Sequence, residues 1–119
     1  MINNPLNIEG ETVFICGPIS REGTNYEAFA DLQQKLDENQ IKNINPHEMY
    51  LEEREKQVIT EQEYINRTVG YIAMCDKVIT LRGWDQTEVS QTWANIARIL
   101  NKPMVVSEVF LKSLTPKAV

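Results

Sequence analysis

Apolar residues fill both parities of Val13-Phe14-Ile15-Cys16, and the run stops at Gly17-Pro18-Ile19-Ser20. A strand with one solvated face alternates, whereas one that is apolar at every position is buried on both faces, as in a parallel sheet under helices. Thr12 to Cys16 therefore reads as a first strand. The period then changes: Thr24-Asn25-Tyr26-Glu27 has the form of a capping box, and Phe29, Leu32 and Leu36 follow at helical spacing, predicting a helix to about Asn39. Ile41 to Ile44 reads as a short second strand ended by Asn45-Pro46, and the charged segment from His47 to Val58 as a loop with a helical turn. Thr60-Glu61-Gln62-Glu63 is a second capping box; it opens a helix with Ile65, Val69 and Ile72 inward, ending near Cys75. Lys77 to Leu81 is a third strand, Gly83 to Thr87 a loop, and Glu88 to Leu100 a helix. Pro103 to Val106 is a fourth strand, and Ser107 caps a last short helix through Leu114.

Strands that alternate with helices throughout predict an α/β fold: a flavodoxin-like or Rossmann-like parallel sheet of four or five strands, with helices on both faces and right-handed crossovers. A strand order of 2-1-3-4 reverses direction between the first and third strands, and open α/β sheets bind ligands outside the carboxyl ends of the strands at such a switch point. No internal repeat, low-complexity tract or linker interrupts the chain, so residues 1–119 are read as a single domain.

Charge narrows the partners. The net charge is −5 and no basic face is visible, which argues against nucleic acid; no segment reaches membrane length. A small anionic ligand stays open, because backbone amides and helix N-termini bind anions without net positive charge. Cys16 and Cys75 end apolar segments and lack metal-ligand spacing, so they read as core residues in a reducing compartment, with no metal and no cofactor expected and a cytoplasmic location. His47, at the end of the second strand, has no Cys, Ser or Asp placed to work with it and reads as a surface or supporting residue near the crevice rim. The run Glu48, Glu52, Glu53, Glu55 with Arg54 and Lys56 reads as a solvated face. Met49, Tyr50 and Leu51 form an apolar cluster within it that marks an interface or folds back on the core.

Two loops should meet at the crevice. One offers Gly17, Pro18, Ile19 and Ser20, with Tyr26 behind them. The other, Gly83-Trp84-Asp85-Gln86-Thr87-Glu88-Val89-Ser90, offers Trp84, Thr87 and Ser90, with Thr87 or Ser90 capping the helix that follows.

The ICGPIS strand and turn, the NPHE segment at Asn45 to Glu48, the INR…CDKVITLRGW stretch from Ile65 to Trp84 and the closing WANIARILNKPMVV resemble the nucleoside 2-deoxyribosyltransferase superfamily. That group includes deoxynucleoside-monophosphate N-hydrolases and small, often phage-borne relatives, and the resemblance runs from Val13 to Val106. It implies cleavage or transfer at an N-glycosidic bond, in which one carboxylate captures an oxocarbenium-like transition state and another group assists the leaving base. It also implies a homo-oligomer whose subunits help to close each other's pockets. The chain departs from the pattern at both acids: the nucleophile's place falls on Trp93 and that of the Asp falls on Thr68, next to Arg67. Trp93 continues the stripe of Val89, Ile96, Ala97 and Leu100, and is expected to be partly exposed towards the crevice as a packing residue that also lines the pocket. Asp85 and Glu88 are the acids left to stand in, although Glu88 lies about 140° around the helix from Trp93 at 3.6 residues per turn. The leading reading is a nucleoside- or nucleotide-binding protein whose catalysis is lost. The alternatives are an active N-glycosidase or deoxyribosyltransferase using Glu88 or Asp85, and a protein-interaction or inhibitor module.

Overall fold

In β1 (Thr12–Cys16), Val13 and Ile15 face one helical layer and Phe14 and Cys16 the other, and all four are fully buried. That alternation within an unbroken apolar run is the axis of the architecture. The computed structural model describes residues 11–19, 25–51 and 59–113. The elements that follow β1 are α1 (Tyr26–Glu38), β2 (Lys42–Ile44), α2 (Pro46–Met49), α3 (Glu61–Met74), β3 (Lys77–Thr80), a single 3-10 turn (Trp84–Gln86), α4 (Glu88–Ile99), β4 (Met104–Val106) and α5 (Ser107–Ser113). Among the described residues the sheet has four strands, all parallel, in the order β2-β1-β3-β4. Val13 sits opposite Asn43 of β2 and Lys77 of β3, and Val78 opposite Met104 of β4.

Phe29, Leu32 and Leu36 of α1 and Phe110 of α5 close one face over Val13, Ile15, Ile79, Leu81 and Val105. Tyr64 and Ile72 of α3 and Trp93, Ala94 and Ala97 of α4 close the other over Phe14, Cys16 and Val78. No helix among the described residues is long and apolar enough to cross a membrane.

Local chemistry sets the helix starts. Thr60 Oγ1 accepts from the Glu63 N–H at 3.1 Å while Glu63 Oε1 accepts from the Thr60 N–H at 3.3 Å, completing the expected box. Asn45 caps α2, its Oδ1 accepting from the N–H groups of His47 and Glu48, with Pro46 at the first helical position. α1 starts differently from expectation. Thr24 lies outside the described residues, Asn25 holds the cap position without a side-chain capping bond, and its Nδ2 donates instead to the Pro18 carbonyl at 3.0 Å. The start of α1 is thereby tied to the turn after β1.

The charged segment after β2 is more deeply packed than its composition suggests. His47 is fully buried, correcting the surface position expected for it, because α2 turns its ring inward between the rings of Phe29 and Tyr50. Tyr50 is buried, and Met49 and Leu51 pack half-buried on the α3–α4 core, so the cluster folds back and gives no exposed patch for an interface. Residues 52–58 of the acidic run lie outside the described residues. At the amino end of β3, the wholly buried Lys77 places Nζ 2.9 Å from Glu11 Oε2.

Gly17 lies close against Leu81 and against Phe29 of α1. A Cβ there would lie 2.9 Å from Leu81 Cδ1, 3.0 Å from Leu81 Cβ and 3.2 Å from Phe29 Cζ. Gly17→Ala is therefore expected to cost about 1–3 kcal/mol through overpacking. Urea unfolding of the variant checks this, and an unchanged midpoint would show that Leu81 can move aside.

Candidate functional site: the crevice at the carboxyl ends of β1 and β3

Beyond the carboxyl ends of β1 and β3 lies a hollow of about 630 Å³, lined by Pro18, Asn25, Ala28, Arg82, Gly83, Gln86 and Thr87. It occupies the switch point of the sheet, and its volume is within the usual range for small-molecule sites. The Leu81 N–H donates to the Cys16 carbonyl at 2.8 Å, which extends the β1–β3 contact into the two loops that frame it. Gly83 has φ +87°, a left-handed conformation that L side chains rarely adopt, and it starts the 3-10 turn directly beneath Pro18.

The expected site residues divide. Pro18, Gly83 and Thr87 line the crevice. Thr87 also caps α4, its Oγ1 accepting from the Ser90 N–H at 3.3 Å. Ser90 itself is buried, and its hydroxyl is engaged with the Trp84 carbonyl and the Thr87 hydroxyl, so it braces the loop and does not open to the hollow. Trp84 is half-buried against the α3–α4 core, where its ring holds the 3-10 turn down. Gly17 is packed under Leu81, and Ile19 packs against both core clusters. Tyr26 is 41% exposed and meets His47 edge-on, with ring centroids 5.8 Å apart. Ser20 lies outside the described residues. Asn25, Arg82 and Gln86 were missed by sequence reasoning. Their signal was position alone, in or beside the loops that follow β1 and β3.

Asp85 and Glu88 are exposed. Glu88 borders a small separate hollow of about 140 Å³ between α3 and α4, with Ile65, Val89, Thr92 and Trp93, and Asp85 does not line the crevice.

Trp93 departs from expectation. It has no exposed surface, and its indole Nε1 donates to Thr68 Oγ1 at 2.9 Å, with Thr68 also fully buried. The expected partial exposure fails because the ring is enclosed within the α3–α4 layer: Phe14 meets it edge-on at 5.3 Å and Tyr64 flanks it at 6.4 Å. The Thr68 hydroxyl in turn donates a hydrogen bond to the Ile65 carbonyl at 2.9 Å, so donor and acceptor capacities are matched. The two positions at which the resemblance expects acids are thus in direct contact, filled by a neutral pair.

From Trp93 the rings continue outward. Tyr64 meets Tyr50 at 5.5 Å, Tyr50 meets His47 at 6.4 Å, and His47 meets Phe29 at 5.1 Å. The Tyr64 hydroxyl donates to the Pro46 carbonyl at 2.8 Å.

Burial holds three groups of this core, Cys16, Cys75 and Tyr64, in their neutral forms. Burial pushes the Cys16 thiol up to about 12. Burial, with Asp76 adding and Lys102 opposing, pushes that of Cys75 up to about 11. Burial raises the Tyr64 phenol as well, helped by Glu61 and Tyr50. Neither thiol is a nucleophile at neutral pH, since the thiolate is the reactive form. Among the described residues no group of three or more His, Cys, Asp or Glu is arranged to hold a metal ion.

No curated protein and no solved structure matches the chain. A family model described as a domain of unknown function (DUF4406) matches residues 11–106, a span that takes in all four strands and the crevice between β1 and β3, and the chain belongs to that family.

Proposed function

We propose that this protein binds a nucleoside or nucleotide in the β1–β3 crevice and performs no glycosidic chemistry on it. The observation that carries the reading is the Trp93–Thr68 hydrogen bond, in which two buried neutral side chains stand where the resemblance implies a nucleophile and its partner acid. Neither can attack an anomeric carbon, and losing one general acid or base alone typically costs ~10²–10⁴ in rate. The crevice supports the binding half. Asn25, Gln86 and Thr87 offer amide and hydroxyl groups for a sugar or base edge, and Pro18 and Ala28 offer apolar surface. Asp85 and Glu88, both exposed and absent from the crevice wall, are poorly placed to rescue catalysis.

Calorimetric titration with the four common deoxynucleosides and their 5′-monophosphates tests the reading. Saturable binding of at least one is expected, with no free base released on prolonged incubation. Absence of heat from every probe at millimolar concentration overturns the binding half, and base release that disappears in Glu88→Ala or Asp85→Ala overturns the other. A homo-oligomer rests on the resemblance alone, since Tyr50 is buried and Met49 and Leu51 pack half-buried against the core.

A further inference from the structure

A second hollow, of about 370 Å³, lies between α1 and α5 on the first face of the sheet. Ala28, Leu32 and Lys35 form its α1 wall, Ser107 and Leu111 its α5 wall, and Leu81 lies between them. The three α1 residues recur at helical spacing, so they make one stripe that leads about 10 Å along the helix, away from the crevice end.

Two observations join this hollow to the crevice. Ala28 lines both. Leu81 and Arg82 are consecutive, the first lining the hollow and the second the crevice, and Arg82 Nη2 reaches Oε1 of Glu108 on α5 at 3.2 Å. The helix that walls the hollow is thereby placed beside the crevice mouth.

The chemistry of the two spaces differs. The crevice presents Asn25, Arg82, Gln86 and Thr87. The hollow presents Leu32 and Leu81, both buried, and Leu111, which keeps 36% of its surface exposed. The charges on its rim, Asp31 and Lys35, stand one helical turn apart with opposite signs and cancel. A leucine surface without net charge gains most from covering an uncharged apolar group, because removing apolar area from water is the favourable step.

We infer that the ligand is longer than a nucleoside: its nucleoside part sits in the crevice, and an aliphatic group joined to it passes over Ala28 into the α1–α5 hollow, against Leu32, Leu81 and Leu111. The hollow selects among nucleosides by what they carry beyond sugar and base. The inference rests on the nucleoside-binding reading, but it can fail while that reading stands.

Two series of probes test it without fixing the point of attachment. One is deoxyadenosine alkylated on its exocyclic amine, from ethyl to hexyl; the other is thymidine acylated on its 5′-hydroxyl, from acetyl to hexanoyl. Dissociation constants are measured for both series and both parent nucleosides, with wild type, Leu111→Gln and Ala28→Glu. Both positions are exposed, so both variants are expected to melt as the wild type does. In wild type at least one series should tighten by about two- to fourfold per added methylene, as buried methylenes do. Leu111→Gln should weaken the longest member by about threefold or more and leave its parent nucleoside within about twofold. Ala28→Glu, with a carboxylate at the junction, should abolish the gain with chain length. Parent nucleosides that bind while neither series gains with length, or a gain that survives both variants, overturn the inference and leave nucleoside binding intact. If neither the parents nor any member of either series binds the wild type, the nucleoside-binding reading falls and takes the inference with it.

Discussion

Trp93→Ala is expected to lower the unfolding free energy by about 3–5 kcal/mol, a large part of the 5–15 kcal/mol that a domain commonly has. The ring is wholly enclosed, and truncation leaves a cavity bounded by Phe14 and Tyr64 that the rigid sheet side cannot fill. Thr68→Val probes the polar half of the pair. It leaves a buried indole N–H without its acceptor, at a cost of about 1–3 kcal/mol, while the Ile65 carbonyl remains within the helix that holds it. Trp93→Glu combines the cavity with a carboxylate in an apolar layer and should be the least stable of the three. Urea unfolding followed by circular dichroism ranks them. A Trp93→Ala protein within about 1 kcal/mol of wild type, well short of the usual cost of such a truncation, would mean that the indole lies against water after all. Trp93 would then return to the candidate pocket wall.

Alkali should weaken the folded state as pH rises above about 9. In the folded chain Cys16 holds its proton to about 12 and Cys75 to about 11, while in the unfolded chain both thiols release theirs near 9.0. The folded state therefore binds more protons between these limits. Stability is fully present below pH 9.0 and is lost as pH rises towards 11 and 12, by about 2–3 kcal/mol per thiol at pH 11. The raised Tyr64 phenol acts in the same direction. Urea midpoints measured from neutral pH to about pH 11, in wild type and in Cys16→Ala, decide the matter. The wild-type midpoint should fall steadily across that range and that of Cys16→Ala less steeply. A flat wild-type profile would place both thiols in contact with water.

What the sequence revealed and what it concealed follow from the range of the interactions involved. The unbroken apolar run of β1, the Thr60–Glu63 box and the alternation of strand with helix are local signals. They led to the parallel sheet, the order β2-β1-β3-β4 and the ends of α3 within a residue or two. The hollow between β1 and β3 followed from that order, since a switch point is a property of topology. Side-chain direction was less accessible. His47 sits in a charged stretch, and only the arrival of α1 with Phe29 makes its ring a core element. Trp84 in the 3-10 turn and Ser90 in the first turn of α4 follow β3 towards the crevice, yet their side chains turn back to brace that stretch and meet the α3–α4 layer. A catalytic acid at position 93 would have to face the crevice. A neutral ring partnered by Thr68 has no such need, and packing determined its place.

The rings that run from Phe14 through Trp93, Tyr64 and Tyr50 to His47 and Phe29 touch β1, α4, α3, the end of α2 and α1 in turn. α2 carries His47, and Tyr50 and Leu51 continue it in π-helical form. His47 and Tyr50 belong to a stack that spans the sheet's second face and reaches through to α1, on the first. The segment from Pro46 to Tyr50 is thus no autonomous unit. It belongs to the same cooperative block as the central strand, and a disturbance anywhere along the stack is shared by elements that are distant in sequence.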